Sequence, residues 1–254
     1  MPTYPETRVP HPPGGLLRGM ARVVSRLTAW GLGRARAVYA VLGLWLALAF
    51  LAAALAIWGF AELAEEVMQG STRRFDLAVM TWMNARASPG LTRLALSLTQ
   101  LGSWTVVAVT GLVVSAFLWI HGERRAVALL WVALVGVTFL SALLKDLFGR
   151  ERPAVFEWRT PYAGGRSFPS GHSMNAMVAY TVFAFLIARL ASSPALRRAT
   201  FLVAAALITL VGLSRIYLGV HYPSDVIAGF ATGFAWAMAC VFAVYVLRDL
   251  RGRG

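Results

Sequence analysis

Cysteine is nearly missing from this chain of 254 residues, in which Cys240 stands alone. Internal disulfides and cysteine metal clusters are thereby excluded, and its place inside the last apolar run marks it as a packing residue. Lysine is as scarce: the other 23 of the 24 basic residues are Arg, which reads first as coding bias and leaves Lys145 as a position that needs a reason. Acids number only 11, and charged residues of both signs make up 14%. So few charges exclude an ordinary soluble domain.

What fills the chain instead is Leu, Ala and Val, with 58% hydrophobic residues and a mean hydropathy of +0.65. The formal net charge of +13 would suggest nucleic acid in a soluble protein. Here the basic residues flank apolar runs, so anionic lipid headgroups are the expected partner and nucleic acid is not. Charge-free stretches lie at 37–61, 94–120, 126–144, 173–188, 199–214 and 226–247. The expected fold is all-α: a polytopic membrane protein of six transmembrane helices with short interfacial helices. The fourth and fifth stretches, at about 24 Å, fall short of a hydrocarbon core of about 30 Å and must draw in His172, Arg189, Arg198 and Arg215. Ionisable groups at membrane depth are costly and usually functional.

Residues 1–15 are Pro-rich and read as a disordered tail. From Leu16 to Trp30, Arg18, Arg22 and Arg26 recur every fourth residue with apolar residues on other faces, which fits an amphipathic interfacial helix; a frayed basic tail is the plainer alternative. The expected organisation is a cytoplasmic tail over 1–36, a six-span domain over 37–247 and a basic cytoplasmic tail over 248–254. A cleaved leader is not expected, because the first apolar stretch is long enough to span. Fourteen Lys and Arg fall on the side of the two ends and ten on the other, which also holds eight of the 11 acids. Both termini are therefore expected in the cytoplasm of an inner-membrane protein. The connection over 61–93 contains two segments able to form short helices, suited to a lid, an entrance or plain packing on the bundle. Gly229 and Gly233, spaced G-x-x-x-G, permit close helix contact, expected within the bundle rather than between chains. Oligomeric state is left open.

Three polar clusters converge on one membrane face, which this topology makes extracytoplasmic. Lys145 to Pro153 reads K-D-L-F-G-R-E-R-P, Pro169 to His172 reads P-S-G-H, and Ser214 to Asp225 reads S-R-I-Y-L-G-V-H-Y-P-S-D. A phosphoryl group in transfer needs several fixed cations and backbone N–H donors around one nucleophile. Lys145, Arg152 and Arg215 supply the cations, and Ser170 and Gly171 open a helix whose first N–H groups favour an anion. Asp225 lies close enough behind His221 to accept a ring N–H, so that the other ring nitrogen can attack phosphorus while His172 protonates the departing oxygen. His11, in the tail, and His121, in a short basic loop, read as solvated. A membrane-edge Arg is usually an anchor and an Asp at a helix start usually a cap. The joint spacing is what outweighs those readings.

The three segments resemble the tripartite signature of the type-2 phosphatidic acid phosphatase superfamily, K-x-x-x-x-x-x-R-P, P-S-G-H and S-R-x-x-x-x-x-H-x-x-x-D, with every fixed position present between Lys145 and Asp225. The six-span layout also looks like the bacterial membrane members. The resemblance implies a phosphohistidine on His221, with Asp225 orienting it, His172 as general acid, and Lys145, Arg152, Ser170, Gly171 and Arg215 holding phosphate. It implies no metal and no cofactor. Arg150 and Arg166 lie outside the fixed pattern and are not assigned. The expected substrate is a lipid phosphate or diphosphate: undecaprenyl diphosphate, phosphatidylglycerophosphate or phosphatidate. Phosphotransfer to a second lipid shares the first half-reaction and stays open. A transporter is disfavoured by apolar mid-span positions, and a serine protease by the lack of a G-x-S-x-G elbow.

Overall fold

A computed structural model of the chain describes residues 47–161 and 164–251, with side chains to 243. The expected tail and interfacial helix over 1–36 lie outside the described residues. Among the described residues there are eight helices and no strand, so the fold is all-α. The helices are α1 (Ala47–Gln69), α2 (Arg73–Asn84), α3 (Pro89–Gln100), α4 (Trp104–Ile120), α5 (Arg124–Phe148), α6 (Gly171–Leu190), α7 (Pro194–Tyr217) and α8 (Pro223–Arg251). Helices α1, α5, α6, α7 and α8 are each long and apolar enough to cross a bilayer. The chain is thus a multi-span membrane protein.

The stretch 94–120, read as one span, is two helices: α3 and α4 meet at a bend of 52°, and taken together they are long and apolar enough to be a sixth span. The break falls where the chain passes close to α6 and α7. Gly102 lies against the first turn of α6, where a Cβ would stand 2.9 Å from the His172 carbonyl oxygen and 2.6 Å from Val211. Any residue larger than glycine would collide there. Carbonyls released by the break are recovered by α6, since Tyr180 Oη donates to Leu101 O at 2.9 Å and Asn175 Nδ2 to Gly102 O at 3.4 Å. Ser103 restarts the ladder by accepting from the Val106 N–H.

Helix α6 is the axle of the bundle, with 56% of its apolar window buried against 6% for α1. Met174, Val178, Val182 and Leu186, at helical spacing, face a core with Leu130, Leu134 and Val137 of α5 and Ala237 of α8. Gly229 and Gly233 bring α8 onto α6 of the same chain, where a Cβ would stand 2.8 Å from Ser170 O and 2.9 Å from Met177 Cβ respectively. Exposed Phe50, Val113, Phe139 and Leu202 cover the outside. In water such a surface would aggregate, and in a bilayer it faces lipid.

The connection after α1 is helical in both segments that the pattern marks. Met80 of α2 packs with Ile216 and Val226, and α3 is tied to α7 through Thr92 and the Tyr217 hydroxyl, 3.0 Å apart. Packing on the bundle, the plainest of the three readings, therefore describes both helices.

Candidate active site

The three polar clusters meet at one end of the bundle because α5 and α7 finish there while α6 and α8 begin there. Gly149, in the left-handed conformation, stops α5 one turn beyond Lys145. A Cβ at Gly171 would stand 3.4 Å from Lys145 Nζ, so the ammonium lies against the N-terminus of α6. The Ser170 N–H donates to Asp225 O at 2.9 Å, joining the second cluster to the third through the backbone. Ser170 is wholly buried and its hydroxyl accepts from Ser173 at 3.0 Å.

His221 sits in the turn between α7 and α8 with 1% of its surface exposed. Its Nδ1 lies 3.3 Å from Asp225 Oδ2, and Arg152 Nη1 lies 3.1 Å from its Nε2. A guanidinium only donates, so Nε2 is the unprotonated nitrogen and Nδ1 carries the hydrogen toward the carboxylate. Burial holds His221 well below the ordinary histidine value of 6.5; Arg215, Arg152 and Lys145 push the same way, against a bond to the Ser167 backbone. The ring is neutral at physiological pH. His172, on the first turn of α6, lies within electrostatic reach of His221, Arg215, Lys145 and Arg152.

The cations are anchored from behind. Arg152 donates to the carbonyls of Val220, at 2.8 Å, and Gly164, at 2.9 Å. Arg215, 5% exposed, donates through Nη1 to Thr99 Oγ1 at 2.7 Å, while its buried Nε has no hydrogen-bond partner among the described residues. A buried guanidinium with a spare donor, beside two more cations, is a site short of anionic charge. All eight residues singled out in the sequence are therefore gathered at one place. His121 is not among them; its ring lies 2.8 Å from the Phe117 carbonyl in an exposed turn.

Four contributors escape a reading of the sequence: Arg150, Asp76, Ser224 and Thr99. Arg150, outside the fixed pattern, bonds Asp225 Oδ1 at 2.6 Å and Asp76 Oδ2 at 2.9 Å. Asp76 of α2 is wholly buried and accepts from the Ser224 N–H at 2.9 Å and hydroxyl at 2.6 Å. Thr99 is the anchor of Arg215. Two signals were present: an acid in the apolar run F-D-L-A-V-M, and a second Arg within G-R-E-R-P. Neither names its partner.

The PAP2 superfamily model matches residues 125–249. A decaprenylphosphoryl-5-phosphoribose phosphatase of Mycolicibacterium smegmatis is 30% identical over 175 residues, covering 64% of this chain and 84% of that protein. The chain belongs to the PAP2 superfamily. Phosphatidylglycerophosphatase B of Bacillus subtilis is 29% identical over 175 residues, covering 68% of this chain and 85% of its own length. The crystal structure of a transmembrane PAP2-type phosphatidylglycerolphosphate phosphatase from Bacillus subtilis superposes with a TM-score of 0.69 at 26% identity, over 74% of this chain and 93% of that one. A PAP2 membrane protein accounts for both the spans and the convergence of the three clusters.

Proposed function

We propose that this PAP2 membrane phosphatase hydrolyses a lipid phosphate or diphosphate through a phosphohistidine on His221. Support comes above all from one observation: Nδ1 of His221 faces Asp225 at 3.3 Å while its unprotonated Nε2 lies 3.1 Å from Arg152, with Lys145 and Arg215 within electrostatic reach of the ring. In the first step the Nε2–P bond forms, the bond from phosphorus to the lipid oxygen breaks, and His172 delivers a proton to that oxygen. In the second, water attacks phosphorus, the N–P bond breaks, and His172 takes the proton from water. Lys145, Arg152 and Arg215 offset the charge on the equatorial oxygens, and the N-terminus of α6 from Gly171 onward adds N–H donors, the Ser170 N–H being held by the Asp225 carbonyl. Asp225 keeps the hydrogen on Nδ1 and stabilises the imidazolium character that develops.

A substrate with a lipid tail suits a site built where membrane helices end, with undecaprenyl diphosphate, phosphatidylglycerophosphate and phosphatidate as candidates. The decisive experiment measures inorganic phosphate released from each by the purified protein in detergent with excess EDTA, beside His221→Ala. Release that survives the chelator and vanishes in the variant supports the reading, and the relative rates select the lipid. Activity lost in EDTA, or kept in His221→Ala, overturns it. Disappearance of substrate without free phosphate points to transfer onto a second lipid.

The charge distribution supports an extracytoplasmic site and cytoplasmic termini. Arg166→Cys in a Cys240→Ser background should react with an impermeant maleimide on intact cells. Labelling only after lysis would reverse the orientation.

A further inference from the structure

Behind the histidine site lies a second polar layer that the phosphohistidine scheme does not use. Asp76 and Asp225 are both wholly buried, on helices far apart in the chain, and a single guanidinium forks between them. Arg150 gives Nη2 to Asp76 and Nη1 to Asp225 Oδ1, and Nη1 also donates to Ser224 Oγ at 2.8 Å. Its guanidinium lies 4.0 Å from the centre of the Tyr222 ring, which restrains its plane. Asp76 also closes the N-terminus of α8 from outside, taking the Ser224 N–H and hydroxyl, and is itself steadied by Thr72 Oγ1 at 3.1 Å.

The consequence falls on one carboxylate. Arg150 bonds Oδ1 of Asp225, and Oδ2 is the oxygen that accepts the Tyr222 N–H, at 2.9 Å, and faces His221 Nδ1, at 3.3 Å. The grip of Arg150 therefore sets the rotation of the group that orients the histidine. We propose that Asp76 and Arg150 are positioning residues, by which α2 braces Asp225 so that it presents Oδ2 to His221. This rests on the phosphohistidine reading of the site. It gives the 61–93 connection a task beyond covering the bundle: one turn of it completes the support of the nucleophile.

The brace is also electrical. His221 faces Asp225 of α8, Lys145 of α5, His172 of α6, Arg215 of α7 and Arg152 of the α5–α6 loop. Arg150 and Asp76 add one positive and one negative charge immediately behind Asp225. Removing the positive one makes His221 easier to protonate, and removing the negative one makes it harder.

The test uses the full-length protein in detergent, with phosphate release from phosphatidate followed as kcat, KM and their pH dependence in Arg150→Gln, Arg150→Lys, Asp76→Asn and His221→Ala. Arg150→Gln should lose about 10- to 100-fold in kcat, the cost of one bond between charged groups, with KM changed by less than about threefold. Arg150→Lys should recover part of the loss. The acidic limb of kcat/KM should move to higher pH in Arg150→Gln and to lower pH in Asp76→Asn, a pair of opposite shifts that a merely structural contact does not produce. Unchanged kcat in folded Arg150→Gln, a loss carried by KM, or limbs that stay put would overturn the proposal. If Arg150→Gln does not fold, the isosteric Asp76→Asn decides alone, and a limb that stays or moves upward overturns it. Hydrolysis surviving in His221→Ala removes the underlying reading and this one with it. An inactive His221→Ala beside a fully active Arg150→Gln removes the brace alone.

Discussion

Arginine does different work at the two ends of the bundle. At the end where α5 and α7 finish, Arg150, Arg152 and Arg215 are anchored by carboxylates, carbonyls and a threonine, Arg215 buried and the other two half-buried. At the other, Arg189 stands 3.8 Å from Glu123, both open to solvent, and Arg124 lies 4.9 Å over the exposed Trp119 ring. The residue type is the same, and burial separates machinery from anchorage: a desolvated cation interacts strongly with whatever anion reaches it, while an exposed one is screened.

Substitutions at the two ends should therefore differ by orders of magnitude. The largest effect is expected from His221→Ala, with phosphate release falling by at least about 1,000-fold, as for loss of a nucleophile elsewhere. Activity within tenfold of the parent would show that the buried end is not the reaction centre. Next, Arg215→Gln should lower kcat/KM by about 100- to 1,000-fold, as removal of a preorganised charge donor does. Thr99→Val, which frees the same guanidinium without deleting it, should cost much less, and equal losses would mean that the anchor matters more than the charge.

Packing between the ends comes third. Gly229→Leu must push α8 away from the Ser170 turn, and overpacking of this kind costs about 1–3 kcal/mol, read as an earlier thermal transition in detergent. A fourth expectation follows from the low proton affinity of His221. Because the folded protein holds this ring neutral, the unfolded chain takes up one more proton as pH drops through 6.5. Stability from this source is present above that value and lost below it. The transition temperature of His221→Gln should consequently fall less between pH 7 and pH 5 than that of the parent, and parallel curves would contradict the shift. Smallest of all is Glu123→Gln at the opposite end, expected to change stability by no more than about 1 kcal/mol and activity not at all.

The site was legible in the sequence to the extent that its residues sit in short motifs. Lys145, Arg152, Ser170, Gly171, His172, Arg215, His221 and Asp225 fall within three segments whose spacing is set by helix ends, and helix ends are visible as apolar runs that stop. Asp76 and Thr99 lie on helices outside those segments, 148 positions from Ser224 and 116 from Arg215. Local pattern carries no record of such pairings. The split of 94–120 escaped for a related reason: hydropathy registers that Leu101, Gly102 and Ser103 are compatible with a span, whereas the close approach of α6 to Gly102 is a tertiary contact that hydropathy does not record. Where the apolar pattern was sufficient, in α5 through α8, the spans stand where they were expected.

Ser170 and Asp225 are joined backbone to backbone, and beside them α8 presents Gly229 and Gly233 to Ser173 and Met177 of α6. On the glycine side such a seam has no rotamers to adjust. The spacing between the turn assigned to phosphate and the turn that bears His221 is fixed like the jaws of a gauge, indifferent to which side chains decorate the outer helices. The lipid-facing surfaces of the bundle can therefore change, and so retool the grip on a lipid tail, while the gauge at the centre keeps its setting.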